Sequence, residues 1–154
     1  MIARGGEELN RISVVGLGKS GLPLAVSLAS KGFQVIGVDV DERKVKAIDS
    51  GISLVGETNL QEMLTRYKDS MLATPDYDYA LKNSDVTFVF TNTPSNPDGS
   101  YSTRQLESAC QEIGKVLREK DLFYVVVIMS TVLPLTREET LKFILEKYSG
   151  KSVE

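Results

Sequence analysis

A short apolar run, Arg11-Ile-Ser-Val-Val15, breaks at a glycine, and Gly16, Gly18 and Gly21 follow in the spacing G-x-G-x-x-G. Leu22 to Lys31 is rich in Ala, Leu and Ser and reads as a helix closed by Gly32. A buried strand that turns at once into a helix leaves few folds open. The spacing alone is weak, because turns and tight helix–strand packing also produce it. Its context is what the dinucleotide-binding fingerprint demands: a strand before the glycines and a helix after them. In that setting Gly16 allows the tight turn, Gly18 lets the backbone approach a pyrophosphate, and Gly21 lets the helix pack close on the strand. The first amides of the helix then face the phosphates, with the helix dipole in their favour.

The remaining segments alternate between the same two kinds of structure. Residues 33–38, FQVIGV, read as a second strand ending at Asp39. Asp41 to Ser50 reads as a helix with an acidic start, apolar Val45 and Ile48 at i, i+3, and Gly51 in the position of a terminating glycine. A loop over 52–57, a short helix over Asn59–Tyr67 and a strand over Met71–Thr74 follow. Thr74-Pro75 reads as an N-cap and first-turn pair for a helix over Asp76–Lys82. Val86–Phe90 is a strand, and TNTPSNPDGSYS, residues 91–102, is dense in turn formers and reads as a loop. Ser102 with Gln105, and Thr136 with Glu139, resemble capping boxes for helices ending near Leu117 and Tyr148. Between those helices, Phe123–Met129 is the most apolar strand, and Ser130-Thr131 opens a loop. Strands apolar on both faces belong to parallel sheets covered by helices. The expected fold is α/β: a Rossmann-type, doubly wound, mainly parallel sheet with helices on both faces, and with Asp39 and the glycine loop at the switch region. Residues 1–10 read as an N-terminal extension, 11–150 as one domain and 151–154 as a tail.

Asp39 ends the strand after the glycine loop, about 20 residues on, where the fingerprint places an acid that accepts hydrogen bonds from the adenosine ribose. The plainer alternative is that Asp39 caps the next helix. A 2′-phosphate would sit against Asp39 with Asp41 and Glu42 nearby, and like charges at such range cost on the order of 1 kcal/mol. No arginine directly follows Asp39, so NAD is the expected cofactor over NADP. Arg43 and Lys44 are the nearest cations, and a solvated helix face is the commoner fate of such residues. The formal net charge of −3 gives no footprint for nucleic acid and none for an anionic membrane surface. With no histidine and one cysteine, no metal site is expected. The opening MIARGGEELN has no apolar signal core, and no apolar run approaches the roughly 18 residues of a membrane helix. A cytoplasmic location is the expectation.

Four segments together resemble one family. VGLGKSGLPLA, residues 15–25, resembles the G-x-G-[YF]-[VI]-G-L-P-x-A signature of the UDP-glucose/GDP-mannose dehydrogenases. GVDVDERKVKAIDSG resembles that family's strand-end acid and following helix, FTNTPSNPDGS its V-x-T-P-T loop, and MSTVLPLT its S-T-V-x-P-G-T loop. The likeness runs over about residues 10–150. It implies oxidation of the C6 hydroxymethyl of a UDP- or GDP-linked sugar to a carboxylate, with two NAD+ used in succession. It also implies that Gly16, Leu17, Gly18, Lys19, Ser20 and Gly21 form the pyrophosphate loop. Asp39 holds the ribose, and Lys44 falls at a basic cofactor contact. Thr91, Asn92, Thr93, Pro94 and Ser95 run beside the dinucleotide, and Thr131 lies near the nicotinamide and helps position a water. Read without the family, Thr93 and Thr131 are turn or helix-start residues with local hydrogen bonds.

The chain also departs from the pattern. Lys19 replaces the family's aromatic residue, Ser20 its Val or Ile, and Leu135 the glycine of the S-T-V loop. The family's catalytic cysteine lies in a downstream G-G-x-C-x-P-K-D segment that is not found here, and Cys110, within QLESACQEIG, reads as a small packing residue. The central dimerising helix and the C-terminal substrate domain are likewise not found. The reading is therefore the NAD-binding domain of a longer dehydrogenase that is a homodimer at full length. This chain by itself should be catalytically incomplete. A stand-alone non-catalytic dinucleotide-binding module, or another Rossmann dehydrogenase, is the alternative.

Overall fold

The computed structural model describes residues 3–4, 7–8, 10–95, 101–130 and 136–153. β1 (Ala3–Arg4) and β2 (Glu7–Glu8) form a short antiparallel pair apart from the main sheet. The chain then alternates as the apolar pattern requires. β3 (Arg11–Val15), α1 (Gly21–Ser30), β4 (Gln34–Val38), α2 (Glu42–Asp49), α3 (Leu60–Tyr67) and β5 (Met71–Thr74) build one half. α4 (Tyr77–Lys82), β6 (Val86–Val89), α5 (Arg104–Leu117), β7 (Val125–Ile128) and α6 (Thr136–Ser149) build the other. The five strands lie in the order β5-β4-β3-β6-β7, and every pairing is parallel. This is the doubly wound arrangement, with the direction of winding reversing between β3 and β6.

Alternation along the central strand divides the core. Ile12 and Val14 face a cluster completed by Leu22 and Val26 of α1, Val45 of α2 and Leu64 of α3. Val15 faces the opposite cluster with Val38, Val89, Leu81 of α4, Ile113 of α5 and Leu145 of α6. Each fully buried Val or Leu contributes about 1.5–3 kcal/mol through removal from water. α5 and α6 approach closely because Gly114 has no side chain: a Cβ there would lie 2.7 Å from the Cβ of Tyr148.

Polar groups inside the sheet are satisfied locally. Ser13 and Thr87, both fully buried, share a 2.5 Å hydrogen bond. Ser84 donates to Ser13 at 3.0 Å, and the Tyr124 hydroxyl bonds Ser84 at 2.7 Å and Thr87 at 2.5 Å. Buried hydroxyls are tolerable in a core when paired in this way.

Several local expectations need correction. Asp76, not Thr74, caps α4: its carboxylate accepts from the Tyr79 amide at 3.0 Å, while the Thr74 hydroxyl accepts from the Asp76 amide at 3.1 Å in a turn one step earlier. α5 is preceded by Thr103 rather than Ser102, and Thr103 makes no cap bond to the backbone; its hydroxyl donates to Glu107 at 2.6 Å. β7 is shorter than its apolar run: Phe123, Tyr124 and Met129 lie outside it, and Phe123 and Met129 are exposed.

Candidate functional site

The three glycines of the loop differ in what forbids a side chain. Gly16 has φ +91°, and a Cβ there would lie 1.7 Å from the Phe90 carbonyl oxygen. A Cβ at Gly21 would lie 1.8 Å from the Gly16 carbonyl oxygen. Turn and helix packing therefore demand these two. A Cβ at Gly18 would meet nothing within 4 Å. Gly18 faces open space at the carboxyl ends of the strands, where a Cβ would fill the cradle rather than strike the protein. Leu17 is 1% exposed, its side chain tucked against Gly37, so the loop is pinned between its glycines. Lys19 and Ser20 are exposed on the rim.

Asp39 is 7% exposed and collects three donors. Its Oδ2 accepts from the Leu17 amide at 3.0 Å and from Lys44 Nζ at 3.0 Å, and its Oδ1 accepts from the Asp41 amide at 2.9 Å. The acid thus ties the glycine loop to the end of β4. A carboxylate offers about four lone-pair positions, so Oδ1 keeps capacity for one more donor. Asp39 does not cap α2. That role belongs to Asp41, which accepts from the Arg43 amide at 3.0 Å and is gripped by the Arg43 side chain at 3.1 Å. Those two bonds, the side-chain one first, hold the Asp41 carboxyl below its usual value. Lys44 is not a free surface lysine, since it turns inward to Asp39. Arg43 stays on the surface. Each acid that a 2′-phosphate would meet here therefore has a cationic partner.

Past β6, the Thr91 amide donates to Ser130 Oγ at 2.8 Å, and the two hydroxyls are 3.1 Å apart. That pair ties the end of β6 to the end of β7. Two hollows run along these strand ends and share Gly18, Phe90, Thr91 and Asn92. The larger, about 460 Å³, holds Asp39, Val40, Lys44, Tyr77, Arg104 and Ser108. The smaller, about 250 Å³, holds Lys19, Ser20, Thr93, Met129 and Ser130. They form one trough across the winding reversal. Gly16, Gly18, Lys19, Ser20, Gly21, Asp39, Lys44, Thr91, Asn92 and Thr93 all line it. Pro94 and Ser95 instead close the neck of the following loop, Pro94 accepting from the Ser102 amide at 2.8 Å and Ser95 bridging to Tyr101. Thr131 lies outside the described residues.

Three trough residues carried no sequence signal of their own: Tyr77, Arg104 and Ser108. Each sits at or near the start of a helix, in segments that only the folded sheet brings together. Burial, aided by the nearby charges of Glu112 and Asp39, pushes the Tyr77 hydroxyl up to about 12. Cys110 is fully buried on α5, and burial pushes its thiol up to about 12. Among the described residues no group of His, Cys, Asp and Glu is placed to hold a metal, and no helix is long and apolar enough to cross a membrane.

The description "UDP-glucose/GDP-mannose dehydrogenase family, NAD binding domain" belongs to a family model that matches residues 10–154. The chain belongs to that family, in its NAD-binding domain. A GDP-mannose 6-dehydrogenase of Pseudomonas aeruginosa is 38% identical over 143 residues, covering 92% of this chain and 33% of the relative. A UDP-glucose 6-dehydrogenase of Haloferax volcanii is 36% identical over 143 residues, with the same coverage of 92% and 33%. The solved structure of a ternary complex of the Pseudomonas GDP-mannose dehydrogenase superposes with a TM-score of 0.89, covering 92% of this chain and 33% of that one. The chain spans about a third of the length of the curated relatives it matches. Its sheet order is that of a Rossmann-type NAD-binding domain.

Proposed function

We propose that this chain holds NAD in the trough and supplies the cofactor half of a nucleotide-sugar 6-dehydrogenase. The observation that carries the reading is Gly18, whose missing side chain leaves open the space over the loop while its two neighbouring glycines are fixed by packing. The loop from Gly16 to Gly21 receives the pyrophosphate, with Leu17 as its buried anchor and Ser20 at the mouth of α1. Asp39 takes a ribose hydroxyl on Oδ1, and Lys44, already on Oδ2, keeps that carboxylate aimed. Val40, 80% exposed on the rim, gives the adenine an apolar surface to cover. Thr91, Asn92 and Thr93 run beside the dinucleotide, while Pro94 and Ser95 shape their loop. Thr131, next to Ser130, serves the nicotinamide end and positions a water.

NAD+, when bound, accepts the hydride released from the alcohol carbon. The names of the relatives support a UDP- or GDP-linked sugar as the substrate of the whole protein; its oxidation at C6 to the carboxylate with two NAD+ is part of the proposal. Cys110 is unsuited to the nucleophile's part, because it is buried in the core and its thiol resists ionisation. The chain alone is therefore expected to bind NAD+ and turn nothing over. Incubating it with NAD+ and either GDP-mannose or UDP-glucose, and following NADH absorbance, tests this. Silence in the assay together with saturable NAD+ binding is the expected result. Sugar-dependent NADH formation would contradict the incompleteness.

A further inference from the structure

The charges along the trough do not cancel. Asp39 is paired with Lys44 at 3.0 Å and Asp41 with Arg43 at 3.1 Å. Two exposed cations on the rim have no acidic partner among the described residues: Lys19 in the smaller hollow and Arg104, the first residue of α5, in the larger. The hollows meet over Gly18, so a cation with no acidic partner among the described residues stands on each side of the cradle. This local excess of positive charge belongs to a chain with a net charge of −3. An uncompensated pair of cations on an otherwise anionic protein attracts a ligand with negative charge at that point. The ligand class is already fixed by the family as NAD, whose pyrophosphate carries two negative charges on adjacent phosphates.

We propose that Lys19 and Arg104 clamp the pyrophosphate from opposite sides, Lys19 from the nicotinamide side and Arg104 from the adenosine side. The proposal rests on the trough being the NAD site and adds two side-chain cations to a cradle otherwise made of backbone. Charge-assisted hydrogen bonds are about twice as strong as neutral ones, and Arg can meet two phosphate oxygens at once. The clamp acts on phosphate charge, so it distinguishes ligands that share adenosine but differ in phosphate.

Calorimetric titration of the chain with NAD+, ADP and adenosine tests the clamp, using Lys19→Ala, Arg104→Ala, the double variant and the charge-conserving Lys19→Arg and Arg104→Lys. Thermal unfolding confirms that each variant is folded. Each alanine variant should bind NAD+ and ADP about fivefold more weakly, and the double variant about tenfold or more, since the two cations share one pyrophosphate and their losses need not multiply. Adenosine binding should not move; Lys19→Arg should stay within about twofold of the parent chain, and Arg104→Lys, which keeps the charge but loses the forked contact, should fall between the parent and Arg104→Ala. Added salt should weaken NAD+ binding by the parent chain more steeply than binding by the double variant. Unchanged NAD+ binding in the double variant overturns the clamp and leaves the NAD site standing. Equal loss for adenosine also overturns it, by showing a structural role. Loss in only one single variant overturns the two-sided arrangement. No NAD+ binding by the parent chain overturns both the clamp and the site it rests on.

Discussion

Asp39 joins two jobs that the sequence presents as alternatives. Its carboxylate anchors the Leu17 amide of the glycine loop and still has an acceptor position toward the trough. Removing it should therefore register twice. Asp39→Ala should weaken NAD+ by about 1.5–3 kcal/mol, through lost hydrogen bonds to a charged acceptor, and should lower unfolding stability by about 1–3 kcal/mol because the buried Leu17 amide loses its partner. Calorimetry reads the first quantity and urea unfolding the second; a change in stability alone would make Asp39 a strut and nothing more. The glycines separate the same two roles. Gly21→Ala should cost about 3 kcal/mol of stability or more, since a Cβ there would overlap the Gly16 carbonyl. Gly18→Ala should stay within about 0.5 kcal/mol of the parent in the same urea titration while losing NAD+ affinity. At this scale the spacing made the three glycines and Asp39 legible. Tyr77, Arg104 and Ser108 were not, because they reach the trough from distant segments whose meeting only the sheet determines.

At the scale of single elements, helix starts were read one or two residues off wherever two cap formers stood together. Thr74 and Asp76 both sit before α4, and the longer reach of the Asp76 carboxylate to the Tyr79 amide decides between them. Asp76→Ala should cost about 1 kcal/mol in urea unfolding and Thr74→Ala less than half of that. Thr74 as the costlier change would reverse the assignment. α2 gives a pH signature. The Arg43 side chain holds the Asp41 carboxyl below its ordinary 3.8. A depressed folded value means the stabilisation is complete above 3.8 and fades as pH falls through the lower, folded value. Urea midpoints measured against pH should therefore drop less steeply in the acid range for Asp41→Asn than for the parent chain. The effect should be small, because this exposed pair is screened by water. Strands were legible from their apolar runs, but their lengths were not. Phe123 belongs to such a run yet lies before β7, exposed, because hydrophobicity marks a tendency to pair and not where the neighbouring strand begins.

The whole molecule was legible from alternation. Apolar strands separated by helices can be buried on both faces only in a parallel sheet, and the glycine turn fixes where the sheet's winding reverses. The five-stranded order follows, with the trough at the carboxyl ends of β3 and β6. What the sequence could not supply is the pairing of charges across the trough, which turned Lys44 from a solvated helix residue into the partner of a buried acid. Cys110 shows the reverse: a reactive residue type that the fold renders inert. In the folded chain at mildly alkaline pH it should resist alkylation by iodoacetamide, and in urea it should react fully, as a thiol pushed up to about 12 by burial requires. Ready alkylation of the folded chain would place it outside the core. The central claim is that NAD occupies this trough. An isotope-labelled sample titrated with NAD+ and followed by backbone amide shifts tests it most directly. The account predicts saturable shifts gathered at residues 16–21, 39–44, 91–93 and 104; shifts centred elsewhere, or none at millimolar NAD+, would contradict it.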